Sequence, residues 1–202
     1  PGAGLLWVWW INLFNFMDGI DGLAASEAAA IGSGLLLFGL CGAGAGSEPA
    51  LLAAAVIGAA LGFLVWNWSP ARIFLGDVGS VPLGYLLGFL LLDLAGRGFW
   101  KIALILPLYF IADATITLVR RLLRGERVWK AHREHYYQQA VRYGLGHAAV
   151  VRLVITADIL LIGFGWAAEN GWGAASLAVS AVITGGLLVA LSRGRPRGGH
   201  MS

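Results

Sequence analysis

The run Leu51–Trp68, LLAAAVIGAALGFLVWNW, decides the fold class. It carries no charged residue, and its only strongly polar side chain, Asn67, stands near its end. A helix of a soluble domain keeps a polar face opposite its apolar stripe, and this run has none. A helix that crosses a bilayer needs about 20 predominantly apolar residues, with shorter spans tolerated. Comparable runs lie on either side of it, at Leu5–Phe16, Leu23–Gly42, Val81–Ala95, Ile102–Val119, Ala148–Ala168 and Gly173–Leu191. Leu5–Phe16 reads as the end of a spanning helix, and Val81–Ala95 as a short span. Glycine and alanine are mixed with leucine throughout, as expected where helices approach closely in lipid. Tryptophans 66, 68, 100, 166 and 172 gather near run ends, where indole rings anchor at the interface. The expected fold is therefore all-α, a polytopic membrane protein with about six to seven transmembrane helices.

Composition supports this reading. Of 202 residues, 58% are hydrophobic and 12% charged, about half the charge of a typical soluble domain at roughly 25%. The single cysteine, Cys41, excludes an internal disulfide and a thiolate metal cluster. Net charge is +3, but the arginines sit in one loop and in the tail, without interleaved aromatics, which argues against nucleic acid as a partner. Pro1 is not an initiator residue and no secretory signal precedes the first run, so the chain reads as a fragment whose start lies upstream. If connections alternate sides, one side receives Arg72, Arg120, Arg121, Arg124, Arg127, Lys130, Arg133, Arg142, Arg193, Arg195 and Arg197. The other receives only Arg97 and Lys101. The positive-inside rule makes the first side cytoplasmic.

Three polar clusters fall on that side. The first is Asn12-Leu-Phe-Asn15-Phe-Met-Asp18-Gly-Ile-Asp21-Gly22. Its polar residues recur at every third position, giving an oxygen-rich surface suited to a hard cation or to the donors of a nucleoside. Two Asp-Gly turns would explain the carboxylates alone, but not Asn12 and Asn15 inside an apolar helix, where polar side chains are costly. The second is Asn67-Trp-Ser-Pro70-Ala-Arg72-Ile-Phe74-Leu-Gly76-Asp77-Val-Gly79-Ser80. Read as a loop opening onto the next helix, it offers backbone N–H groups to phosphate oxygens, with Asp77 placed to hold a bridging cation. It is not a Walker A loop, and alone it reads as a capped turn; its placement opposite the first cluster favours the binding role. The third is the basic stretch 120–146, centred on His132, Arg133 and His135. Such a loop is most often a topology signal, yet histidines beside arginines also suit a diphosphate or a lipid phosphate. His147 and His200 lie in unrelated surroundings, which argues against a transition-metal site. Three further acids lie in or near apolar runs. Asp93 is expected to snorkel or pair and Asp113 to pair with Arg120 or Arg121, while Asp158 has no evident partner.

These strings, in this order, resemble the polyprenyl-phosphate N-acetylhexosamine-1-phosphate transferases, which are glycosyltransferase family 4-like. Asn12–Gly22 is similar to the family's Asn-x-x-Asn-x-x-Asp-Gly-x-Asp-Gly motif, and Asn67–Ser80 to its Asn-x-x-Pro-Ala…Phe-x-Gly-Asp-x-Gly-Ser string. Arg133–Gln138 stands where the family carries His-x-His-His, with only His135 kept. That pattern resembles the subgroup that starts lipopolysaccharide O-chains. The family's earlier helices and their Asp-Asp motif are absent, so residues 1–202 are expected to form the C-terminal part of one integral membrane transferase domain. The resemblance implies a UDP-N-acetylhexosamine donor, an undecaprenyl-phosphate acceptor, and UMP release in a bacterial inner membrane, with the site facing the cytoplasm. It implies Mg2+, with Mn2+ as an alternative, held by Asp77 with Asn15 in support. Asp18, Asp21 and His135 would be the catalytic group. Asn12, Asn67, Phe74, Gly76, Arg133 and His132 would bind substrate. A homodimer is the assembly considered, and the alternatives are the UDP-MurNAc-pentapeptide transferase of peptidoglycan synthesis and a membrane transporter.

Overall fold

The computed structural model describes residues 2–41, 47–127 and 133–193. Every regular element among them is helical. The order is α1 (Gly2–Phe16), α2 (Leu23–Cys41), α3 (Ser47–Asn67), α4 (Gly76–Gly96), α5 (Trp100–Ile105), α6 (Leu108–Leu123), α7 (Tyr136–Arg142), α8 (His147–Ala167) and α9 (Gly173–Ser192). A π-type turn, Ala168–Trp172, joins the last two, and Gly171 reverses the chain there at φ 93°. Helix is the physical necessity here, because in lipid each backbone N–H and C=O must find its partner within the segment.

Four segments are long and apolar enough to cross a membrane: Leu23–Cys41, Glu48–Asn67, Gly76–Gly96 and His147–Ser192, the last containing both α8 and α9. The expected six to seven spans are not reached by that measure. The run Ile102–Val119 is broken, because Pro107 has no N–H to donate to the Ala103 carbonyl and the ladder stops there, leaving α5 and α6 as separate helices. Val81–Ala95, expected to be a short span, is instead the body of the 21-residue α4.

Helix α2 packs along α3, and α1 packs along α4. The second pairing places the site. Ser80, Gly84 and Gly88 recur four apart on one face of α4. A Cβ on Gly84 would stand 3.3 Å from the Ile11 Cα, and one on Gly88 would stand 2.7 Å from Trp7 Cδ1. Only bare glycine lets α1 approach so closely, which brings Asn15 against Ser80. The remaining core is closed by Leu13, Phe14, Tyr109 and Phe110, all fully buried.

Two expectations about intramembrane acids are revised. Asp113 does not pair with Arg120 or Arg121. Arg121 instead binds Glu126 at 2.8 Å, and Arg120 bonds the Tyr136 hydroxyl and stacks on its ring at 5.1 Å. Asp158, left without a partner, faces Glu27 of α2, and the two buried carboxyls have no donor other than each other among the described residues. Glu27 had drawn no notice in the sequence. Asp93 does pair, with Arg97 Nε at 2.8 Å.

Candidate active site

The three polar clusters meet at one end of the bundle. Helix α1 stops at Phe16, and residues 17–22 form a connection held from below by fully buried Met17, whose N–H reaches the Leu13 carbonyl. Asn12 and Asn15 therefore stand on a helix, whereas Asp18 and Asp21 stand in a loop. Their common three-residue spacing does not make them one face. Asn12 is exposed and donates to the Val8 carbonyl of its own helix. Asn15 is half-buried and accepts from Ser80 Oγ at 2.5 Å, which fixes the end of α1 to the start of α4.

The string Gly76-Asp77-Val-Gly79-Ser80 is not a loop but the first turn of α4. Gly76, at φ 58°, takes the chain into the helix through a left-handed residue. Its N–H donates to the Asp18 carboxylate. Asp77 is exposed one residue later and close enough to repel that carboxylate. Asp18 is half-buried outside the spanning segments. Burial raises its affinity for a proton, the Gly76 N–H opposes this, and the Asp77 charge adds to it, so its pKa is pushed up to about 7. Among the described residues no set of three acid or histidine side chains is arranged as a metal cage. The oxygen donors that do converge are the Asp18 and Asp77 carboxylates.

Asp21 has a different task. Its Oδ2 accepts from the Ala71 N–H at 3.2 Å and lies 3.1 Å from His147 Nδ1 at the start of α8. Burial pushes its pKa up, but these two partners and Ser69 outweigh it and hold the carboxyl below its ordinary value. Asp21 thus ties the first cluster to the second and to α8. His147 is the site residue that sequence reasoning missed; with the partners 126 positions apart, no local signal joined them. Asn67, expected to bind substrate, is 4% exposed. It accepts from the Gly22 N–H and donates to the Ile73 carbonyl, both at 2.9 Å, and so stitches the two connections together. Phe74 stands 76% exposed on the same loop.

The third cluster arrives through α7. Fully buried Asp113 of α6 accepts from the N–H groups of Tyr136 and Tyr137 at 3.0 and 3.3 Å and lies 3.2 Å from His135 Nδ1. A buried carboxylate requires such donors, and an anion is favoured at a helix start. His135 is accordingly buried beneath α7 and stacked on Tyr137, with Nδ1 turned to the Asp113 carboxylate. Seated this way, α7 lays Tyr137 and Gln138 on the backbone of Gly19. Burial first, then the Asp113 and Asp18 charges, raise the Tyr137 phenol's pKa, so it serves as a donor, to the Phe16 carbonyl at 3.0 Å. Arg133 is exposed just before the helix, and His132 lies outside the described residues.

The family model described as glycosyl transferase family 4 matches residues 2–95, which hold the first two clusters and α1–α4. A probable undecaprenyl-phosphate N-acetylglucosaminyl 1-phosphate transferase of Bacillus subtilis is 32% identical over 166 residues, covering 79% of this chain and 44% of its own length. A phospho-N-acetylmuramoyl-pentapeptide-transferase of Kocuria rhizophila is 32% identical over 204 residues, covering 85% of this chain and 53% of its own. One of the same description from Mycolicibacterium vanbaalenii is 33% identical over 150 residues, with 65% and 41% covered. The chain spans about half the length of these curated relatives. With its acidic connection and its Gly-Asp helix start, the chain carries the glycosyl transferase family 4 match over residues 2–95 and is similar to these transferases over about half of their length.

Proposed function

We propose that the protein containing this chain transfers an N-acetylhexosamine-1-phosphate from a UDP-sugar to undecaprenyl phosphate, releases UMP, and so initiates a cell-envelope glycan of the O-antigen type. The observation that carries the reading is the convergence of Asp18 and Asp77 at the N-terminus of α4, at the end of the bundle where all three polar clusters lie. Two carboxylates with no nitrogen or sulfur ligand suit Mg2+, which takes one or two carboxylates and fills its shell with water and substrate phosphate. Mn2+ has the same preferences. Asp77 would hold the ion, with Asp18 beside it and Asn15 fixing the helix start through Ser80. When bound, the ion draws charge from the diphosphate oxygens. The chain's own residues do the positioning on which phosphoryl transfer depends. Exposed Phe74 offers a ring face to uracil, and Arg133 a guanidinium to phosphate. Asp21, with His147 and Ala71, holds the acidic connection in place. No general base is required, since a phosphate monoester with a second pKa near 6 is already mostly ionised.

The direct test is UMP release by the full-length protein in membranes with undecaprenyl phosphate and either UDP-N-acetylglucosamine or UDP-MurNAc-pentapeptide. Release with the first donor alone is expected. Release with only the pentapeptide donor would assign the chain to the peptidoglycan step, and release with neither would remove the proposal.

The protonation of Asp18 makes metal affinity depend on pH. Below about pH 7 the carboxyl is mostly protonated and Asp77 faces the ion alone; above it a second negative charge is present. Apparent Mg2+ affinity should therefore rise between pH 6 and pH 8. Asp18→Asn should flatten that rise. Calorimetric Mg2+ titration at the two pH values checks it, and an equal slope in both proteins would exclude Asp18 from the metal's surroundings.

Orientation is tested by labelling. With Cys41 replaced by alanine, a cysteine at Glu169 should react with an impermeant thiol reagent in intact cells. A cysteine at Arg127 should react only after lysis, and the reverse pattern would put the site outside the cell.

A further inference from the structure

Helix α6 is amphipathic, and its last turn combines two features. Leu122 and Leu123 are 62% and 83% exposed, while Arg120, Arg121 and Arg124 surround them in sequence. Beside that turn is a cavity of about 240 Å³ between the ends of α6 and α7, lined by Arg120, Arg124, Glu134, Gln139, Arg142 and Tyr143. Three guanidiniums against one carboxylate leave the lining two positive charges in excess.

Two of these guanidiniums are already oriented. Arg120 is held by the Tyr136 hydroxyl and ring. Arg124 is held by Glu134 at 3.0 Å and Glu126 at 3.5 Å. The third, Arg142 in the last turn of α7, is exposed and has no hydrogen-bond or ion-pair partner among the described residues. A cluster of fixed and unpaired guanidiniums matches the geometry of phosphate oxygens, which arginine binds through paired N–H groups. The exposed leucines add the second half of the ligand. Apolar side chains in the same turn as basic ones bury into the acyl boundary while the charges meet the headgroups.

We infer that the cavity between the ends of α6 and α7 binds a phosphate borne by a membrane lipid, with Arg142 and Arg120 as its ligands and Leu122 and Leu123 against the hydrocarbon. None of these four residues belongs to the Asp18–Asp77 centre. The ligand is either a bulk anionic phospholipid or, resting on the transferase reading, the acceptor lipid held before transfer.

The test uses the full-length protein in phosphatidylcholine nanodiscs and as lipid adducts in native mass spectrometry. Phosphatidylglycerol should form a saturable adduct that phosphatidylcholine does not compete away. Arg142→Gln should weaken it about tenfold, whereas Arg142→Lys should keep most of it. Equal thermal stability of the three proteins shows that folding is not the cause. Unchanged phosphatidylglycerol binding in Arg142→Gln would overturn the inference, and so would displacement by millimolar inorganic phosphate, which would mark a free-phosphate site. Kinetics in the same nanodiscs separate the two lipid sources. A raised KM for undecaprenyl phosphate with an unchanged KM for the UDP-sugar identifies the acceptor. Unchanged KM values with a lost adduct identify bulk phospholipid. The adduct measurement stands even if transferase activity is absent.

Discussion

Asp77→Asn in the full-length protein is expected to lower UMP release by at least about 10²–10³-fold, the usual loss when one well-placed electrostatic group is removed from a charge-stabilising site. The side chain is exposed in the first turn of α4 and supports no buried contact, so the fold should survive. The substitution is nearly isosteric and also removes the charge that disfavours ionisation of Asp18. The proper control is Asp93→Asn near the other end of the same helix. It breaks only a partly exposed ion pair with Arg97, and such pairs contribute about 0–1 kcal/mol. Both variants should be assayed across a Mg2+ titration, with detergent-solubilised yield as the folding measure. Near-normal turnover of Asp77→Asn at modest Mg2+ would take the residue out of the metal site and leave the convergence of the acidic clusters without a catalytic meaning.

The second large effect is expected at Gly19, which lies between the two acids of the first cluster and beneath α7. A Cβ there would collide with the Tyr137 hydroxyl and stand 3.0 Å from Gln138 Nε2. Tyr137 cannot easily yield, because it is fully buried, bonded to the Phe16 carbonyl, and held at its own N–H by Asp113. Gly19→Ala must therefore move the acidic connection or unseat α7. Overpacking of this kind costs about 1–3 kcal/mol, and a displacement of about 1 Å at a positioning site costs about 10²-fold in rate. Turnover should fall by that order while thermal stability falls modestly. Adding Tyr137→Phe removes the colliding oxygen and should restore part of the turnover. Gly58→Ala on α3, where nothing lies within 4 Å of the new Cβ, should change neither. If Gly19→Ala were fully active, α7 would not rest on the connection as described.

Most of the architecture was legible in the chain. The apolar runs correspond to α1–α4, α8 and α9 within a few residues, because hydropathy is a local sum and a bilayer rewards it wherever it occurs. The grouping of three polar clusters at one end also followed from counting connections. What failed were readings that carried a local pattern into space. The three-residue spacing from Asn12 to Asp21 suggested one helical face, but the helix stops at Phe16. Asp77 looked like part of a free loop because glycines flank it, yet the ladder of α4 begins at Gly76. Nothing along the chain showed that His135 faces the Asp113 carboxylate of α6.

The sequence by itself determined that the chain is built of apolar helices, where the runs of α2–α4, α8 and α9 lie, and which transferases its motifs resemble. Only the tertiary structure decided the partners: Asp21 with His147, Asp113 with the start of α7, and Glu27 with Asp158. The reason is physical. Partition into lipid depends on each segment's own composition, whereas a polar side chain's partner depends on which helices are neighbours and how each is rotated. Close contacts such as Gly84 and Gly88 against α1 set both, and they act between residues that no window along the chain contains together.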